Sequence, residues 1–164
     1  MSCYHDCISS VAASGSLPSA VCPTFQDNAI CSVIAATNIA SISYMSQWSC
    51  TSDGTTSTDP CDDNWDGVVC SGGYISSLFL NSMEMTGTFP SMLTVLSTLR
   101  HISLASNSLD GTLPTEIGAL VLLTYLSVDG NGITGTVPEQ IAQLPVLKKL
   151  LIHANKLTGN KYSC

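Results

Sequence analysis

The sequence predicts an α/β solenoid of four 24-residue coils, stacked on a parallel β-sheet and closed at the N-terminal side by a helical, disulfide-bonded cap. Three observations predict it. The stretch "LASNSLDGTLPTEIGAL", Leu104 to Leu120, returns as "LSVDGNGITGTVPEQIAQL" and again as "LLIHANKLTGN". Repetition at this length marks units that bury their apolar faces only by stacking. The segment ahead of the repeats spaces its apolar residues as a helix does. Eight cysteines, with none of the CxxC doublets of a zinc ribbon, point to disulfides in an oxidising compartment.

The repeats align with a period of 24. Ile75, Leu99, Leu123 and Leu147 begin the units, which cover 75–98, 99–122, 123–146 and 147–164, the last one short. Leu78, Ile102, Leu126 and Leu150 follow, then Leu80, Leu104, Val128 and Ile152. This alternation is a strand with its apolar side chains turned inward. Met83, Asn107, Asn131 and Asn155 come next, where the chain turns. A buried Asn has both acceptor and donors for backbone groups, so stacked units predict an Asn ladder reaching the next turn. Gly87, Gly111, Gly135 and Gly159 suit close coil packing, and Pro90, Pro114 and Pro138 set extended segments that need no N–H. Ile117 and Leu120 close the core from the convex side.

The cap is predicted over 25–74, with 1–24 as a cysteine-bearing extension. Ile30, Val33, Ile34, Ile42, Met45 and Trp48 approximate one face of a helix over 27–48, and Thr24 with Asp27 forms a capping box. "SGSLPS" and "SGGY" read as turns.

The pattern LxxLxLxxNxLxGxxPxxIxxLxxL resembles the plant-type extracellular leucine-rich repeat of receptor-like proteins and polygalacturonase-inhibiting proteins. "DPCDDNWDGVVC", Asp59 to Cys70, is similar to the N-terminal cap signature of that family. The resemblance implies a disulfide between Cys61 and Cys70, and a function in recognition rather than catalysis. Cys3, Cys7, Cys22, Cys31, Cys50 and Cys164 allow fifteen further pairings, and their spacing does not choose among them.

Charge narrows the partners. Net charge is −7, and residues 1–99 hold eight acidic side chains and no Lys or Arg. That balance excludes nucleic acid. No apolar run is long enough to span a membrane. The N-terminus lacks a basic region followed by an apolar core, so a signal peptide is expected to be absent or already removed.

Catalytic and metal chemistry finds little support. No nucleophile elbow, acid pair or phosphate loop occurs, so no enzyme and no cofactor are expected. Asp62, Asn64 and Asp66 match the first half of a calcium loop, but its twelfth position falls on Gly73. The segment reads as an acidic cap turn, with calcium the alternative. His101 and His153 lie two strands apart, roughly 10 Å at sheet spacing, too far for one metal ion. His5 stands in the extension. No N-glycosylation sequon occurs, and "CTSDGTTSTDPC" reads as a polar loop, with O-glycans the alternative.

The residues between the inward leucines define the candidate working face. They are Ser76, Ser77, Phe79 and Asn81, then Arg100, His101, Ser103 and Ala105, then Thr124, Tyr125, Ser127 and Asp129, then Lys148, Lys149, Leu151 and His153. Exposed aromatic and basic residues suit recognition, so the predicted binding face is Phe79, Asn81, Arg100, His101, Tyr125, Asp129, Lys148, Lys149, Leu151 and His153. The first functional expectation is a secreted module binding a protein, peptide or glycan. The alternative is a structural subunit whose copies meet head to tail, since unit four has Tyr162 where a proline is expected and basic residues gather toward it.

Overall fold

The computed structural model describes residues 23–39, 42–43, 45, 47–51, 56 and 58–159. Cys3, Cys7, Cys22, Cys164, His5, Tyr162, the side chains of the Thr24/Asp27 capping box and most of the 52–57 loop lie outside the described residues.

Each coil contributes one short strand to a sheet at the same place in its 24-residue unit. β1 (Val68–Ser71) and β2 (Tyr74–Phe79) form an antiparallel hairpin. Its turn is Gly72–Gly73, at φ +61° and +77°, a region that suits glycine. β3 (Thr86–Thr88) and β5 (Ser108–Asp110) make a separate two-stranded parallel sheet. β4 (His101–Ser103), β6 (Tyr125–Ser127) and β7 (Lys149–Leu151) extend β2 in parallel. The main sheet therefore gains an antiparallel member on the cap side, which the repeat pattern did not announce.

The two sheets differ in register. In the main sheet Ser77 stands beside His101 and Tyr125 beside Lys149, partners one full period of 24 apart. In the second sheet Thr86 stands beside Ser108, and the isolated bridge joins Thr112 to Thr134, both 22 apart.

Between the sheets the leucine positions pack. Ile75, Leu78, Leu80, Leu99, Ile102, Leu104, Leu123, Leu126 and Val128 are fully buried. Ile117, Leu120, Ile141 and Leu144 cover them from short 3-10 helices over Thr115–Ala119 and Glu139–Gln143. Each such side chain contributes about 1.5–3 kcal/mol through removal from water.

The asparagines form the ladder, reaching back to the preceding coil rather than on to the next. Asn107 Oδ1 accepts from the N–H groups of Met83 and Met85, and its Nδ2 donates to the carbonyls of Leu80 and Leu104. Asn131 repeats this on Leu109, Leu104 and Val128, and Asn155 on Ile133, Val128 and Ile152.

The cap helix is shorter than its apolar spacing suggests. It runs Pro23–Ala36, here α1, and not to Trp48. Thr37 ends it by folding its hydroxyl back to the Val33 carbonyl and accepting the Ile39 N–H. Ile42, Met45 and Trp48 then sit on successive tight turns, each N–H bonded three residues back. That spacing of three still delivers Ile39, Met45 and Trp48 to the core. Two cap side chains serve the first coil as a preceding coil would. Gln26 accepts from Ile75 N–H and donates to the Gly73 carbonyl; Asn38 does the same with Thr86 and Glu84. Disulfides join Cys31 to Cys50 and Cys61 to Cys70.

Candidate recognition surface

Parallel register sets the strand face. Ser77, His101, Tyr125 and Lys149 lie side by side across four strands, and Phe79, Ser103, Ser127 and Leu151 form the next row. Within this lattice Phe79, from the second row, joins His101, Tyr125 and Lys149 of the first in one continuous band. Phe79 and His101 have centroids 6.1 Å apart, His101 and Tyr125 stack at 6.0 Å, and Lys149 Nζ lies 5.4 Å from the Tyr125 centroid. Aromatic pairs in this range and a cation near a ring face are each mildly attractive. Phe79 is 42% exposed, and Arg100, Lys148 and Lys149 are also exposed.

The face is narrower than its sequence positions imply. Ser76 and Ser77 are buried beside β1, with Ser76 Oγ bonded to the Val69 carbonyl. Ser103 and Ser127 are buried too, so the expectation that they project as free surface is corrected. Asn81 Oδ1 accepts from Ser103 Oγ at 2.6 Å and from Ala105 N–H at 3.0 Å, so this side chain ties one coil to the next.

Asp129, Ser127 and His153 come together at one edge. Ser127 Oγ donates to Asp129 Oδ1, and His153 Nε2 stands 3.5 Å from Asp129 Oδ2. The carboxylate lies between hydroxyl and imidazole. Nucleophilic catalysis needs the imidazole on the hydroxyl, with the carboxylate behind it. This order orients His153 and does not activate Ser127. Sequence reasoning placed Asp129 and His153 on the face but did not foresee their contact, which depends on the lateral register of β6 and β7.

The acidic cap motif is committed to its own turn. Asp59 Oδ1 accepts from the N–H groups of Cys61 and Asp62, and Asp63 Oδ2 from Asp59 N–H. Asp66 Oδ2 accepts from Gln47 Nε2, while Asn64 donates to the Asp62 carbonyl at φ +49°. Among the described residues no three His, Cys, Asp or Glu side chains gather as metal ligands.

The stacked strands, Asn ladder and capped first coil define a leucine-rich-repeat solenoid. A Leucine Rich Repeat family profile matches residues 98–120 and 122–144. The chain is 38% identical over 68 residues to the receptor-like protein kinase HSL1 of Arabidopsis thaliana, covering 40% of this chain but 6% of that protein. The chain thus spans a small part of the relative it matches. Among solved structures, the Arabidopsis receptor kinase HAESA, determined in complex with the peptide hormone IDA and the co-receptor SERK1, is 31% identical with a TM-score of 0.66, over 80% of this chain and 22% of HAESA. A plant ice-binding protein is 26% identical with a TM-score of 0.56, over 80% of this chain and 49% of that one. One fold thus serves different ligands, and the ligand must be argued from the surface. Two disulfides among the described residues agree with an extracellular setting, and no helix among them is long and apolar enough to cross a membrane.

Proposed function

We propose that the protein is a secreted, non-catalytic recognition module whose strand face binds an extended peptide segment. The observation that carries this reading is the continuous band Phe79–His101–Tyr125–Lys149, which crosses all four repeat strands. A rigid sheet holds those side chains, so little ordering is lost on binding. Size supports a peptide over a large protein surface. Four strands span roughly 20 Å at sheet spacing. A standard protein interface needs about 800 Å² per partner, more than this strip offers alone. The peptide-hormone complex of HAESA, built on the same kind of repeat, supports the reading by analogy.

The test is selection of linear peptides on the immobilised protein, followed by amide chemical-shift mapping. Shifts centred on His101, Tyr125 and Lys149 are expected. Shifts confined to the convex 3-10 helices would overturn the reading.

A second reading is assembly of copies head to tail. The uneven charge favours it, since all five basic residues lie in 100–164 and eight acidic ones in 1–99. Complementary ends would set orientation, and unclosed contacts would give filaments. Sedimentation at rising concentration tests it. Association weakened by Lys148→Glu and by salt supports assembly, and a monomer throughout refutes it.

A further inference from the structure

The basic side chains of the described chain gather where the ligand band lies. Arg100 and Lys148 immediately precede β4 and β7, and Lys149 opens β7, whereas Lys156 follows the ladder residue Asn155 on the turn beyond. At the face positions of the main sheet the one carboxylate is Asp129, and it is engaged by Ser127 and His153. The face is therefore positive on a chain whose net charge is −7. A local field opposite to that of the whole molecule selects anions at this face and repels them elsewhere.

Three Ser and Thr hydroxyls around the band already donate within the protein. Ser103 Oγ donates to Asn81, Ser127 Oγ to Asp129 and Thr124 Oγ1 to the Arg100 carbonyl. A sugar chain presents many hydroxyls that need partners on leaving water. The exposed ring of Phe79 at one end of the band, and the half-buried Leu151 two residues along β7 from Lys149, instead offer apolar contact. This mixture suits a peptide with acidic and aromatic residues.

Resting on the strand face as the recognition surface, we infer that its ligand is an acidic, extended peptide. An aromatic or apolar side chain of that peptide lies over Phe79, His101 and Tyr125, and a carboxylate meets Lys148 and Lys149. Lys149 is the pivot. Its ammonium rests against Tyr125 and, as a compact charge with three donors, can take a carboxylate while keeping that contact.

The experiment is calorimetry, with amide chemical-shift mapping alongside, on three defined probes: a random copolymer of glutamate and tyrosine, one of lysine and tyrosine, and polygalacturonate. The variants are Lys149→Glu, Tyr125→Ala and, as a control off the face, Lys156→Glu. The glutamate–tyrosine copolymer should bind, and Lys149→Glu and Tyr125→Ala should each weaken it at least about tenfold, as anchor residues do. Lys156→Glu should leave it unchanged. Equal loss in Lys149→Glu and Lys156→Glu would show diffuse attraction and overturn the proposal. Polygalacturonate binding as tightly as the acidic copolymer would overturn the peptide class. Preference for the lysine copolymer, with shifts at Tyr125, would overturn the anionic ligand while leaving the strand-face reading standing. No shift at Tyr125 with either copolymer would overturn both.

Discussion

The indole of Trp48 packs against that of Trp65, centroids 5.4 Å apart and planes tilted by 49°. Both rings are almost fully buried, and each N–H is satisfied, Trp48 by the Asp66 carbonyl and Trp65 by Thr58 Oγ1. The pair joins two segments that separate disulfides also anchor, Cys31–Cys50 and Cys61–Cys70. Trp65→Ala should therefore destabilise the domain by about 3–5 kcal/mol through cavity formation. Urea unfolding followed by circular dichroism checks this, and a loss under 1 kcal/mol, well below that range, would mean the cap contributes little to cooperative folding.

Removing the Cys61–Cys70 bond tests the same region independently. The bond closes a loop with a sequence separation of 9. Cys61→Ser with Cys70→Ser should lower stability by about 2–3 kcal/mol, because the unfolded chain regains the freedom of that loop. Thermal melts of the oxidised protein and the double variant, read side by side, measure it.

The Asn ladder is a third test. Asn131→Ala strips the Leu109 N–H of its side-chain partner and leaves the Leu104 and Val128 carbonyls to Asn107 and Asn155 alone. Each buried group left unpaired costs about 1–3 kcal/mol. Asn131→Asp should rescue the N–H alone, since the carboxylate accepts from Leu109 but cannot donate to the carbonyls. The expected order of denaturation midpoints is wild type, then Asn131→Asp, then Asn131→Ala. Equality of Asn131→Ala with wild type would refute the ladder as a source of stability.

Two glycines with positive φ separate crowding from backbone strain. A Cβ at Gly87, at φ +101°, would meet the Ala36 carbonyl oxygen at 2.1 Å, whereas a Cβ at Gly72, at φ +61°, meets nothing within 4 Å. Gly72→Ala should cost only the left-handed backbone term, on the order of 1 kcal/mol. Gly87→Ala should cost clearly more, because the cap helix end must move away from the first coil. Similar midpoints for the two variants would contradict the contact.

The repeat period made the core and ladder legible, because Leu78, Ile102, Leu126 and Asn107, Asn131, Asn155 each recur under one steric demand. The second sheet was not legible. Its strands are three residues long with Gly87 inside β3, so they offer neither alternation nor β-branched continuity. The end of α1 was missed for a related reason. Ile42, Met45 and Trp48 keep helix-like spacing in tight turns, and only the Thr37 side chain marks the break. On the face, the positions of His101, Tyr125 and Lys149 followed from the repeat, but the burial of Ser103 and Ser127 did not. Small hydroxyls sink between larger neighbours; Ser103 closes on Asn81 of the preceding coil, a contact set by lateral register, and Ser127 on Asp129 two residues along its own coil.

The unequal registers of the two sheets constrain how such a chain can change length. The arc from Leu78 to Gly87 faces the shorter arc from Ile102 to Leu109 in the coil beside it, so the stack advances like a screw whose thread is cut on two sides at different phases. An insertion between the sheets in a single coil would keep one thread and strip the other. Gain or loss of a whole 24-residue unit leaves both threads engaged, because the same pair of offsets recurs at Ser77–His101 and Tyr125–Lys149 on one side and at Thr86–Ser108 and Thr112–Thr134 on the other. Whole turns are thus the increments of length this packing tolerates, and each one added or removed would carry one row of strand-face positions with it.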